Sequence, residues 1–121
     1  MAWPILDVVT AAHIPEPVVR LVRAYRVLLE QDFGDRVRSV RLFGSRARGD
    51  AGPDSDVDVA VVVAGLTDHE RARAIDLALS AWREVGGQRI SPAVWSDEEW
   101  EDLLRRERRI ALDVAREGIP L

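Results

Sequence analysis

Two aspartates one residue apart, Asp56 and Asp58, stand ten residues after a Gly44–Ser45 pair. The stretch reads Phe43-Gly44-Ser45-Arg46-Ala47-Arg48-Gly49-Asp50-Ala51-Gly52-Pro53-Asp54-Ser55-Asp56-Val57-Asp58 and continues as Val59-Ala60-Val61-Val62-Val63. Side chains alternate faces along a strand. Asp56 and Asp58 therefore point one way, and Val57, Val59, Val61 and Val63 the other. Aspartate is a poor strand former, and two carboxylates sharing a face repel each other. Burying them unpaired is costly. A divalent cation between them removes both problems, and Mg²⁺ is a hard ion commonly held by one or two carboxylates together with substrate phosphates.

The Gly44–Ser45 side complements this chemistry. Gly44 has no side chain, so a phosphate can approach its backbone closely. Ser45 can open a short helical turn over Arg46 to Gly49, offering free N–H groups and a hydroxyl to an anion. Arg46 and Arg48 lie between the phosphate turn and the carboxylates. They can neutralise a polyphosphate, or they can pair with Asp50 and Asp54.

Other chemistries fit less well. The spacing of Asp54, Asp56 and Asp58 suggests a calcium loop, but its sixth and twelfth positions would be Val59 and Gly65 instead of Gly and Glu. A P-loop needs Gly-Lys-Ser/Thr, and the sequence contains no lysine. Gly-x-Ser-x-Gly is absent, so Ser45 is not on a nucleophile elbow. The plain alternative for an isolated Asp-x-Asp is solubilising charge at a strand entrance.

Gly44-Ser45, ten residues and Asp56-x-Asp58 together resemble the signature of the DNA polymerase β-like nucleotidyltransferase superfamily. The flanking Gly-Ser-Arg-Ala-Arg-Gly and Pro-Asp-Ser-Asp-Val-Asp are similar to the minimal nucleotidyltransferases (MNT), many of which are encoded beside HEPN-domain toxins. The likeness runs from about Val37 to the end of the sequence. It implies an α/β (α+β) fold with a small mixed sheet and packed helices. It implies ATP as substrate, Mg²⁺ at Asp56 and Asp58, and terminal phosphates held by Gly44 and Ser45 with Arg48. The implied reaction is transfer of AMP to a hydroxyl, here of a partner protein such as a HEPN-type toxin, so that the chain acts as an antitoxin. That pattern usually carries a third carboxylate on the next strand. Here the strand reads Arg89-Ile90-Ser91-Pro92-Ala93-Val94-Trp95, with Ser91 about where the acid is expected. Three readings stay open: an adenylyltransferase acting on a partner, a nucleotide-binding antitoxin that works by contact with little or no turnover, and a transferase acting on a small molecule or RNA.

The elements that must position these residues are legible along the chain. Pro15 to Phe33 predicts a helix with Val18, Leu21, Val22, Tyr25, Leu28 and Leu29 on one face. Tyr25 belongs to that stripe and reads as core. Val37 to Phe43 predicts the first strand, and Asp56 to Ala64 a central strand apolar on both faces. Thr67 with Glu70 makes a capping box for a helix to about Val85, with Ala72, Ile75, Leu79 and Trp82 as the expected buried stripe. Gln88 to Trp95 predicts an edge or bulged strand, because Pro92 lacks a donor. Ser96 with Glu99 caps a last helix expected to run unbroken to about Glu117. Its inward residues would be Trp100, Leu103, Leu104, Ile110, Ala111 and Val114, with Gly118 and Pro120 closing it. The arginine run at 105, 106, 108 and 109 reads as a salt-bridged, solvated face. His13 and His69 read as solvated, and residues 1–14 as a lead-in to one domain spanning 1–121.

Composition bounds the rest. The balance is that of a soluble globular protein, with 47% hydrophobic and 31% charged residues. All 17 basic residues are arginine and cysteine is absent, which removes lysine chemistry, disulfides and thiolate metal sites. A net charge of −4 and a pI of about 5.2 argue against a broad nucleic-acid footprint. Neither a membrane span nor a signal peptide is apparent, which is compatible with the cytoplasm. The sequence leaves the oligomeric state open.

Overall fold

The computed structural model describes residues 13–121; most of the lead-in lies outside them. The described elements are α1 (Glu16–Phe33), a 3₁₀ turn (Gly34–Arg36), β1 (Val37–Phe43), α2 (Ser45–Arg48), β2 (Val57–Val63), α3 (Asp68–Val85), β3 (Ile90–Ser96), α4 (Asp97–Arg105), α5 (Arg109–Glu117) and β4 (Ile119–Pro120). The sheet order is β3-β2-β1-β4. β1 is antiparallel to both β2 and β4, and β2 is parallel to β3. This is the small mixed sheet with packed helices that the sequence led us to expect.

β2 is the organising strand. Val57, Val59, Val61 and Val63 are all fully buried, as are Leu42 and nearly all of Val40 on the same face of β1. α1 and α3 cover that face and complete the main core. Burying each such aliphatic side chain contributes about 1.5–3 kcal/mol. The opposite face buries Ala60 and Val62. There α4 lies against β2 and β3, and α5 against β1.

Of the stripe expected to face inward on α3, Trp82 packs against the core and Ala72, Ile75 and Leu79 are exposed. Ala74, Leu77, Ala78 and Ala81 are buried, whereas Ile75 and Leu79 are 44% and 42% exposed. Small residues let α3 pack close to α1, and the buried Tyr25 hydroxyl donates to the Ala74 carbonyl at 2.8 Å. Burial raises the Tyr25 pKa well above its ordinary value, so this hydroxyl stays a donor.

Arg36 ties three elements together. It forks onto both oxygens of Glu70 at 2.8 Å and also donates to the carbonyls of Ala64 and Gly65. Thr67 and Glu70 form the expected capping box at the start of α3, and Ser96 and Glu99 do so for α4.

The C-terminal region differs from the expected single helix. α4 ends at Arg105, Glu107 takes a positive φ of 52°, and α5 begins at Arg109. The break lets the two helices fold over different strands. It leaves Trp100, Leu103 and Leu104 partly exposed, Ile110 39% exposed, and Ala111 and Val114 buried. Asp102 pairs with Arg105 and Arg106, and Arg109 with Asp113, so most of the arginine run is salt-bridged on the surface. β4 is a further addition: Ile119 pairs with Leu42 and Pro120 with Arg41.

β3 is an edge strand, as Pro92 required. Val57 N–H donates to the Arg89 carbonyl, so by parallel-strand alternation Ile90, Pro92, Val94 and Ser96 turn their backbone groups away from β2. Pro92 has no N–H to offer there. Arg71 donates to the Val94 carbonyl, and the Glu99 carboxylate accepts the Ser96 N–H. These are devices that discourage a further strand from adding.

Candidate functional site

The open part of the second sheet face is a single row of residues. Phe43 pairs with Asp58 across β1 and β2, and Asp58 pairs with Ser91 across β2 and β3. The next rows, Arg41–Ala60–Ala93 and Ser39–Val62–Trp95, run toward α4 and α5. Trp95 packs on Trp100 of α4 with ring centres 5.4 Å apart. The first row is left clear: Asp58 is partly exposed, and Asp56 and Ser91 are exposed.

Gly44 turns β1 into α2 at the end of that row. Its φ of 73° is a conformation that favours glycine. A Cβ placed on it would overlap the Asp58 carboxylate. The turn and the aspartate are thus in van der Waals contact across the strand pair. Ser45 opens α2 as expected, and Gly44's carbonyl accepts the N–H groups of Ala47 and Arg48.

The electrostatics follow from this crowding. Burial pushes the Asp58 carboxyl above its ordinary value, neighbouring Asp56 pushes it further, and Arg48 pulls it back. Gly44 thus touches Asp58, where the charges of Asp56 and Arg48 are also felt. The two arginines do different things. Arg48 donates to Asp50 Oδ2 at 3.3 Å and to Glu117 Oε2 at 3.2 Å. Arg46 donates to the Ser55 carbonyl at 2.8 Å and braces the loop that leads into Asp56. Neither is among the ion-pair partners of Asp54 in the described residues. His13, expected at the surface, is exposed, and its Nε2 lies 2.9 Å from the Ala47 carbonyl of α2.

The donor set suits a hard divalent cation. Two carboxylates, one partly buried and electrostatically strained by the other, supply oxygen ligands of the kind Mg²⁺ takes, with waters and phosphates to complete the shell. Among the described residues no group of three or more acidic, histidine or cysteine side chains converges on one point. Ser91 occupies the register position beside Asp58 where a third acid would share the site. Glu117 is the participant that sequence reasoning missed, because it reaches Arg48 across 69 residues.

A family model for the nucleotidyltransferase domain matches residues 22–113. This chain belongs to that family. A solved structure described as a minimal nucleotidyltransferase is 30% identical, with 86% of this chain and 95% of that chain covered and a TM-score of 0.56. A toxin–antitoxin structure with AMP-PNP shares the fold at 21% identity and a TM-score of 0.52, with 79% and 68% covered. Comparison with the curated proteins gives no match. No described helix is long and apolar enough to cross a membrane.

Proposed function

We propose that the chain is a Mg²⁺-dependent nucleotidyltransferase that moves AMP from ATP onto a hydroxyl of a partner protein, a HEPN-type toxin, and so serves as an antitoxin. The observation that carries this reading is the contact of the Gly44 turn with Asp58, beside Asp56 and Arg48, at the open end of the sheet. Family membership supports the chemistry, and the toxin–antitoxin neighbour supports the biological setting.

In this reading Gly44 and Ser45 receive the terminal phosphates on backbone N–H groups and the serine hydroxyl. Arg48 adds a guanidinium. Asp56 and Asp58 would hold Mg²⁺, which when bound supplies charge neutralisation for the triphosphate and the departing pyrophosphate. The acceptor oxygen attacks the α-phosphorus, the bond to the bridging oxygen of the β-phosphate breaks, and the hydroxyl proton passes to solvent. In-line displacement places the acceptor opposite the leaving group.

Ser91 favours a second reading. A serine beside Asp58 supplies no carboxylate to hold a second ion or to take the acceptor proton, and a domain of this kind can bind nucleotide and neutralise its partner by contact. The deciding experiment is incubation of the purified pair with labelled ATP and Mg²⁺, followed by mass spectrometry for added AMP. Transfer that disappears in Asp56→Asn establishes the enzyme. Inhibition of the partner without any added AMP selects the contact reading. Titration of Mg²⁺-ATP into wild type and into the Asp56→Asn, Asp58→Asn double variant tests the site, and equal affinities refute it.

A further inference from the structure

Arg48, in the short helix that Ser45 opens, already holds two carboxylates. Its Nη1 donates to Glu117 Oε2 at 3.2 Å and its Nε to Asp50 Oδ2 at 3.3 Å. These partners differ in kind. Asp50 is two residues away and 63% exposed at its side chain, whereas Glu117 ends α5 and is 36% exposed. The chain around Glu117 is fixed to the same corner of the sheet. Gly118 follows it with no room for a Cβ against Val114 and Arg41. β4 then pairs with Arg41 and Leu42, the residues that lead into Phe43 and Gly44. Glu117 is therefore held at the rim of the site by a helix on one side and a strand on the other.

We infer that Glu117 is a built-in competitor for the triphosphate: it holds Arg48 through Nη1 in the free protein, and phosphate oxygens compete with it for the guanidinium. This rests on the nucleotide-binding reading above. The Glu117 carboxylate takes an Nη1 donor that a bidentate contact with phosphate would use. A phosphate group offers the same oxygen geometry as the carboxylate with more charge. Exposed ion pairs of this kind are weak, so the contact tunes affinity without blocking the site. Occupancy of the site is thereby linked to the last turn of α5, 69 residues from Arg48 in sequence.

The test is isothermal titration of Mg²⁺-ATP into wild type, Glu117→Gln, Glu117→Asp, Arg48→Ala and the Arg48→Ala, Glu117→Gln double variant. Thermal unfolding of each is measured alongside. Removing the competing charge is expected to tighten binding about two- to fivefold in Glu117→Gln, the range that an exposed ion pair can supply. Glu117→Asp, which keeps the charge, is expected to return toward wild type. Arg48→Ala weakens binding, and adding Glu117→Gln to it brings little further gain, because the competition needs the guanidinium. Equal or weaker binding by Glu117→Gln with intact folding overturns the inference while leaving the nucleotide site standing. Equal gains from Glu117→Gln with and without Arg48 also overturn it, since general repulsion would then be the cause. If wild type itself binds no Mg²⁺-ATP, the underlying reading fails and takes this inference with it.

Discussion

Asp58 and Ser91 stand opposite each other on neighbouring parallel strands, the aspartate partly covered and the serine exposed. The pairing puts a hydroxyl where a carboxylate would complete a three-acid site. On the proposed function, replacing Ser91 with Asp is expected to raise transfer of AMP to a partner protein. Help from an added general base is typically about 10²–10⁴-fold. The check is the rate of label incorporation from ATP by the purified pair. A wild-type rate unchanged by Ser91→Asp but lost in Asp56→Asn would show that the enzyme needs no third acid.

Asp58 makes a separate prediction for the protein without metal. Its folded-state pKa is raised, first by burial and then by Asp56. A raised value contributes stability that is present below the unfolded value of 3.8 and lost as pH rises through the folded value. At neutral pH the ionised carboxylate is thus a cost to folding. Asp58→Asn is expected to melt higher than wild type in EDTA, and Mg²⁺ is expected to raise the wild-type Tm but not that of the variant. Melting curves with and without Mg²⁺ decide this, and an Asn variant that melts lower in EDTA refutes the electrostatic account.

Gly44→Ala combines a left-handed backbone with a direct overlap on Asp58. Strain of this sort costs about 1–3 kcal/mol, and relief by moving Asp58 would disturb the acidic pair. The expected result is a lower urea midpoint together with weaker Mg²⁺-ATP binding. Unchanged binding in a folded Gly44→Ala protein would separate the turn from the nucleotide site.

Glu70 sets an acid limit. Its hydrogen bonds to Arg36, followed by the Thr67 backbone bond, hold its pKa at about 2, below the ordinary 4.5. A depressed value contributes stability that is present above pH 4.5 and lost as pH falls through about 2. Glu70→Gln is expected to unfold more readily at neutral pH and to show a flatter loss of stability below pH 4.5. Urea titrations at several pH values measure both, and parallel pH profiles for the two proteins would count against the pairing as the cause.

Local features of the sequence carried their structural meaning with them. The capping boxes at Thr67–Glu70 and Ser96–Glu99, the bounds of β1 and the edge position of β3 all rest on neighbouring residues or a single proline, and each is found as expected. The Gly44-Ser45 and Asp56-x-Asp58 elements come together because one strand pair and one loop connect them. Features decided by distant partners were not legible. The inward side of α3 is set by close approach to α1, which favours Ala74, Ala78 and Ala81 over the larger Ile75 and Leu79. The break at Glu107 and the two-residue β4 depend on how the C-terminal segment crosses the sheet. Glu117 enters the site through the same crossing.

The finished edge at β3 also limits how copies of this protein can accumulate. A sheet grows without end only if its last strand presents a backbone that another chain can copy. Here proline removes one donor, and side chains from α3 and α4 take a neighbouring carbonyl and amide. At this edge, assemblies that include the domain are joined through side-chain surfaces and not by backbone pairing. A concentrated solution of this domain is thereby protected, at that edge, from strand-by-strand fibre growth.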